Sequence, residues 1–280
     1  MKLNYKNQEK TIRKVQTMPP YLVYPLLEET GFVRHGFSTK LGGVSVGCYA
    51  SLNLSFTRGD ETKHVQENLS RFGKAIGVKP KDMVFSAQTH TNHVLTVTES
   101  DRGNGVTQPL PYADVDGFVT NIPGLCLVTF YADCVPLFFV DPVAKAIGLS
   151  HSGWRGTVAK IAEKTVEQMK KEYGSNPADI LTAIGPSICR DCYEVSEEVI
   201  GAFRQNFAYS HGADLYEQKE NGKYQLDLWA ANRMILLESG ILPKHIAMTN
   251  VCTHCNSDVF YSHRRTGERR GNLAAFLAIK

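Results

Sequence analysis

The run from Leu125 to Val140 is the most apolar stretch of the chain, and it carries Asp133 inside it. It falls short of the about 20 apolar residues that a membrane-spanning helix requires. A stretch of this kind has to be enclosed by protein, and the interrupting acid divides it into two buried strands. A chain of 280 residues with 42% hydrophobic content carries enough apolar surface to enclose them in a large core.

The pattern on either side supplies the other layers. Four helices are legible from 3.6-residue spacing. Asp60 is placed to cap a helix with the stripe Val65, Leu69, Phe72 and Ile76, ending at Gly77. A second runs from about Thr157 through Val158, Ile161, Thr165, Val166 and Met169 to Gly174. A third follows Ser196 with Val199, Ile200, Phe203 and Phe207. The fourth is capped by Asp227, buries Leu228, Ala231, Ile235 and Leu236, and stops at Gly240. Strands are expected around Met83 to Ser86, Gly117 to Thr120, Leu125 to Tyr131 and Ala144 to Ser150, with Val94 to Val97 and Val135 to Val140 as further candidates. Strands and helices mixed without a clean βαβ alternation point to a mixed α/β domain and away from a Rossmann sheet. No low-complexity linker or repeat divides the chain, so residues 25–280 are expected as one domain and residues 1–24 as a loosely attached arm.

Charge and thiols set the surroundings. A formal net charge of +3 with intermixed acids and bases gives no electrostatic reason to expect a nucleic acid or a membrane as partner. The polar N-terminus, MKLNYKNQEKTIRKVQ, has no apolar signal segment. An odd count of seven cysteines then suits thiols or metal ligands in a reducing cytoplasm better than a disulfide framework.

Three segments place metal-competent side chains where a strand gives way to a loop: SAQTHTNHV, YADCVP and SHSGWRG. Loops on the ends of a rigid sheet are where sites collect. A catalytic zinc commonly takes three protein ligands and keeps a fourth position for water, and one Cys with two His is a permitted set. His90, Cys134 and His151 supply it, and copper would accept the same nitrogen and sulfur donors. In the segment after His151, Arg155 and the backbone N–H groups at the start of the following helix form a candidate anion site suited to phosphate. The plainer reading makes Trp154 core and Arg155 a surface ion-pair partner. No GxGxxG or Walker loop is present.

These residues belong to six ordered segments: His35 to Leu54, Gln88 to Val94, Asp116 to Pro136, His151 to Gly156, Ile184 to Val195 and Cys252 to Gly271. Together they resemble the multicopper polyphenol oxidoreductase, or laccase-domain, family, understood as purine nucleoside phosphorylases with adenosine deaminase activity. The resemblance implies a four-layer α/β fold like that of the cytotoxic-necrotizing-factor-like cysteine hydrolases, with zinc on His90, Cys134 and His151. It also implies phosphorolysis of adenosine, inosine and methylthioadenosine, together with deamination of adenosine. Purine nucleosides and phosphate are thus the expected partners, with Lys40, Arg155 and Arg264 as their contacts. Lys40 departs from the Arg usual in the family, and a single-point ammonium replaces a bidentate contact there. Ser152, His263 and Cys189 depart as well.

His93, Asp133 and His35 are the nearest motif candidates for a general acid. The basic cluster His263, Arg264, Arg265, Arg269 and Arg270 is too compact for a nucleic-acid track and is expected to contribute to the anion pocket. Nine histidines without a His-x-His pair argue against multicopper oxidation. Cys189/Cys192 and Cys252/Cys255 form two CxxC pairs about sixty residues apart, whereas zinc ribbons separate theirs by about 15–20. They are accordingly expected as packing thiols rather than a second zinc site. Two further readings stand beside the zinc enzyme: a hydrolase with Cys134 as nucleophile and His151 as base, and a non-enzymatic metal-binding accessory protein.

Overall fold

In the computed structural model, which describes residues 1–207 and 215–280, the apolar run does form two strands, Cys126–Tyr131 and Val135–Asp141. They enter different sheets. The chain passes from one to the other at Asp133, whose φ of 88° makes the reversal. Each sheet has six strands and mixes parallel with antiparallel pairing. The first runs Arg13–Val15, Tyr21–Val23, Val33–Ser38, Leu273–Ile279, Cys126–Tyr131, Met83–Phe85. The second runs Ile246–Met248, Leu181–Ile184, Val135–Asp141, Ala146–Ser152, Gly117–Thr120, Val94–Thr96.

Side-chain alternation shows how these sheets stack. Leu127 and Tyr131 face Phe138, Val140 and Leu149 in a core between the sheets. The intervening Cys126 and Val128 turn outward onto Leu69, Phe72 and Ile76 of the helix Thr62–Ile76. On the other sheet, Leu137 and Phe139 turn outward onto a layer built from Ile161–Tyr173, Glu197–Asn206 and Leu228–Glu238. The order is helix, sheet, sheet, helix, a single mixed α/β domain in four layers. Emptying a buried aromatic position such as Phe138 to Ala in a core of this kind costs about 3–5 kcal/mol.

Three expectations are corrected, and one strand with no sequence expectation appears. The first 24 residues are not a detached arm: Arg13–Val15 and Tyr21–Val23 pair into the first sheet, and Leu3, Ile12 and Leu22 are buried. Asp60 does not cap the first helix; Glu61 stands at that position, because Ser45 and Asn53 donate to Asp60 Oδ2 at 2.6 and 3.0 Å and hold its carboxylate. The second helix starts at Trp154 and breaks at Lys160, whose φ of 55° separates Trp154–Val158 from Ile161–Tyr173. The strand Leu273–Ile279 lies at the middle of the first sheet, although its three alanines and unbroken apolar sequence give no alternation. Among the described residues, no helix is long and apolar enough to cross a membrane.

Candidate functional site

The crossing at Asp133 puts Cys134 at the end of the inter-sheet layer. His151 comes from the neighbouring strand Ala146–Ser152, where it is paired in register with Pro136. His90 comes from the loop after Met83–Phe85. The ligand atoms of the three all lie within 4.8 Å of one another. His90 Nε2 is 3.9 Å from Cys134 Sγ, and the two imidazole centroids are 5.0 Å apart. Gly153 completes the approach, since a Cβ there would stand 2.7 Å from His90 Cδ2 and 3.2 Å from Cys134 Sγ.

Asp116, which sequence reasoning did not single out, organises this triad. Its carboxylate is fully buried. Oδ1 accepts from His151 Nδ1 at 2.7 Å and from the His90 backbone N–H at 3.1 Å. Oδ2 accepts from the backbone N–H groups of Thr89 and Thr91, both at 3.0 Å. One residue thus holds the His90 loop, in which His90 itself has φ of 68°, and fixes the tautomer that turns His151 Nε2 toward Cys134. The sequence signals for it were a carboxylate immediately before a buried strand and its place at the head of the segment Asp116 to Pro136.

Electrostatics follow from this chain of contacts. Burial alone would push the Cys134 thiol up, but His151 and His90 outweigh it and bring the thiol down to about 6. Burial alone would lower His151; Cys134 and Asp116 overcome that and raise it to about 9. Asp116 is held below the usual carboxylate range, since His151 and the loop amides outweigh its burial. Without metal the centre is therefore a thiolate–imidazolium–carboxylate line. A cation bound by a thiolate and two imidazole nitrogens fits the same atoms, with His151 giving up its proton.

The triad lies on the wall of a cleft of about 850 Å³. Phe56, Phe85, Tyr112, Phe130, Trp154 and Tyr193 give it aromatic faces. Arg58, Arg155, Arg264 and Arg270 give it positive charge, and His263 lies among them. Nε of Arg58 and of Arg270 are both buried without a hydrogen-bond partner. Burial and the neighbouring Arg58 guanidinium push Arg270 below its ordinary range, against the opposing pull of Asp133 and Glu268; Glu268 Oε2 lies 2.6 Å from Arg58 Nη2.

The expected site residues divide on this evidence. Arg155 reaches the cleft, with its guanidinium 4.2 Å over the Trp154 ring, and so does Arg264, 5.2 Å over Tyr193. The helix Trp154–Val158, which carries Arg155 as its second residue, has five residues, too short to supply the expected N-terminal anion site by itself. Lys40 is not among the lining residues; its backbone pairs with Val259, Ser51 and Leu52. Arg58, which was not among the expected contacts, and Arg270 of the basic cluster do line the cleft. Arg265 and Arg269 also lie outside the lining.

None of the three general-acid candidates is placed for that role. His35 is buried outside the cleft, where its Nε2 accepts from the Tyr24 N–H at 2.8 Å and burial lowers it to about 4. His93 also stands outside the lining, its Nδ1–H donating to the Asp114 carbonyl at 3.0 Å. Asp133 borders the cleft, but its carboxylate already accepts from Thr253 Oγ1 at 2.6 Å, Ser262 Oγ at 3.0 Å and the Arg264 N–H at 2.6 Å. It is an anchor for the crossing. The two CxxC pairs, expected as separate packing thiols, come together instead, with all four sulfurs within 4.8 Å of one another.

Comparison with known proteins agrees with this geometry. Residues 34–280 match the family described as multi-copper polyphenol oxidoreductase laccase. A protein of Bacillus subtilis named purine nucleoside phosphorylase YlmD is 40% identical over 88% of this chain and 88% of its own length. One from an unidentified prokaryote, named adenosine deaminase RL5, is 36% identical over 84% of this chain and 90% of its own. The crystal structure of YlmD from Geobacillus stearothermophilus superposes with a TM-score of 0.90 at 33% identity, covering 97% of this chain and all of that one.

Proposed function

The chain belongs to the multi-copper polyphenol oxidoreductase laccase family, and from that premise and the make-up of the cleft we propose that it is a zinc-dependent purine nucleoside enzyme. It cleaves adenosine, inosine and methylthioadenosine with phosphate and deaminates adenosine. The observation that carries the reading is the sharing of one cleft by a His90–Cys134–His151 donor set, aromatic faces and guanidinium groups, two of which, Arg58 and Arg270, keep an unpartnered Nε although Arg58 pairs with Glu268 and Arg270 with Asn272 through their other nitrogens.

The residues divide the work. Flat side chains such as Phe85, Tyr112 and Tyr193 accept the faces of a purine, for which stacking is worth about 1–3 kcal/mol per base. Arg58 and Arg270, with Arg264 and Arg155 beside them, hold phosphate oxygens by charge-assisted hydrogen bonds. Bringing phosphate and the anomeric carbon of ribose together turns a bimolecular displacement into one within a single complex. Zinc, when bound, supplies a Lewis acid able to make water nucleophilic at neutral pH, which suits hydrolytic loss of the purine amino group. Asp116 keeps His151 directed at that centre.

Names of relatives support both reactions, since one is called a phosphorylase and another a deaminase. A second reading has its own support. The Cys134–His151–Asp116 line has the charge order of a cysteine hydrolase, with its thiol at about 6. Chelation separates the two. Incubation of adenosine with the zinc-replete protein is expected to give adenine and ribose phosphate only when phosphate is added, and inosine in either case, with both reactions abolished by chelator. Turnover insensitive to chelator but abolished by thiol alkylation would favour the hydrolase, and no turnover of any purine nucleoside would refute the proposal.

A further inference from the structure

Outside the cleft, the two CxxC pairs form a second constellation. Each pair is borne on a tight turn: Cys192 N–H donates to the Cys189 carbonyl at 3.1 Å, and Asn256 N–H donates to the Cys252 carbonyl at 3.1 Å. The turns are held side by side by backbone bonds from Ser187 to Val251 and from Thr253 to Ser187, at 3.3 and 3.1 Å. The four sulfurs, from segments more than fifty residues apart in sequence, lie within 4.8 Å of one another, and Cys192 Sγ is 3.5 Å from Cys255 Sγ.

Those distances decide between two fates for four thiols. A disulfide requires about 2.05 Å between sulfurs, and all seven cysteines are free. Four thiolates about 2.3 Å from one zinc stand about 3.8 Å apart along the edges of their tetrahedron, a spacing compatible with the 3.5 Å between Cys192 and Cys255 and the 4.8 Å that bounds all four. The four cysteines pack against the apolar core as thiols commonly do, but they also face one another, which packing alone does not require. Backbone N–H groups are also aimed at sulfur, from Cys189 to Cys252 Sγ at 3.3 Å and from Cys255 to Cys252 Sγ at 3.5 Å, as suits a site that carries thiolate charge. Lys6, paired with Asp191 at 2.9 Å between two of the ligands, sets a cation beside it.

We infer that Cys189, Cys192, Cys252 and Cys255 form a structural zinc site, closed to substrate and separate from the His90–Cys134–His151 centre. Its position gives it a purpose. Ile188, next to Cys189, donates its N–H to the Asp133 carbonyl at 2.9 Å, and Thr253, next to Cys252, donates to the Asp133 carboxylate at 2.6 Å. Ile188 and Tyr193 line the cleft. A tetrathiolate ion therefore cross-links the two segments that hold the sheet crossing and one cleft wall.

The test is metal content after reconstitution of the full chain with zinc chloride and removal of loose metal. His90→Ala/His151→Ala, which leaves the four thiols intact, should retain one equivalent, and its cobalt-substituted form should show thiolate-to-cobalt charge-transfer absorption. Cys189→Ser/Cys252→Ser should lose one equivalent relative to the unaltered chain and melt at lower temperature. Zinc held by the His90→Ala/His151→Ala variant supports the cluster even if the other centre fails to load, which keeps this inference apart from the proposed function. Absence of metal from that folded variant, or an intact mass showing disulfides among these cysteines as isolated, would overturn it.

Discussion

Asp116→Asn is the sharpest single perturbation of the site, because the amide has the shape of the carboxylate but only one acceptor oxygen. Each carboxylate oxygen now accepts from two N–H groups, Oδ1 from His151 and His90 and Oδ2 from Thr89 and Thr91, and Oδ2 accepts from the Thr91 hydroxyl as well. Whichever way an asparagine side chain is turned, its NH₂ faces one of these pairs, donor against donor. Two hydrogen bonds to a charged acceptor, each worth about 1.5–3 kcal/mol, are lost. The fold should weaken by about 3–6 kcal/mol, and at about 2 °C per kcal/mol for a chain of this size Tm should fall roughly 6–12 °C. Loss of the partner that orients a metal-binding histidine typically costs 10–100-fold in metal affinity, or about 1.4–2.7 kcal/mol. Competition with a chromophoric chelator gives that affinity, and a thermal melt of the metal-free chain isolates the first effect. Zinc affinity within about twofold of the unaltered chain and an unmoved Tm would refute the role assigned to Asp116.

Three other outcomes follow from named contacts. Gly153→Ala places a methyl 2.7 Å from His90 Cδ2, so zinc bound by the His-containing centre should drop with little change in far-ultraviolet dichroism; full retention would place that glycine outside the metal approach. Arg270→Gln should keep zinc and raise the KM for phosphate about tenfold or more, one charge-assisted contact being worth about 1.5–3 kcal/mol, with deamination affected less; the exposed Arg155, changed to Ala, should move the same constant by a smaller factor. Equal loss of both reactions in Arg270→Gln would move phosphate elsewhere. His35, lowered to about 4 from 6.5 by burial, should hold back about 3 kcal/mol of acid sensitivity: the contribution is present above pH 6.5 and is lost as pH falls toward 4, when the Tyr24 N–H meets a protonated ring. Urea midpoints from pH 7 to pH 4 should fall more steeply for the unaltered chain than for His35→Gln, and parallel slopes would contradict this.

What the sequence disclosed and what it hid separate along one physical line. Features set by neighbours in the chain were legible: the Val65, Leu69, Phe72 and Ile76 stripe is buried as read, Asp227 caps the helix that follows it, and Gly117–Thr120 is a strand. The meeting of His90, Cys134 and His151 was foreshadowed because each follows an expected strand and belongs to one of the six ordered segments. Other features that depend on chain segments meeting in space were not. The convergence of two CxxC turns is invisible to spacing rules drawn from ribbons with short connections. Arg58 was unmarked in sequence, and only the fold sets it beside Arg270 with both Nε atoms unpartnered. Lys40 was misplaced for the converse reason, since a motif position says nothing about which way its loop turns. Leu273–Ile279 was missed because a strand buried on both faces has no polar alternation to read.

The central claim is that purine nucleoside chemistry depends on metal held by His90, Cys134 and His151. It is tested most directly by following inosine cleavage in phosphate as one preparation is stripped with chelator, dialysed, and titrated back with zinc, beside His90→Ala handled in the same way. Formation of hypoxanthine and ribose phosphate is expected to stop on stripping, to return in proportion to zinc restored in the unaltered chain, and not to return in His90→Ala. Cleavage that continues undiminished in the stripped chain would contradict it.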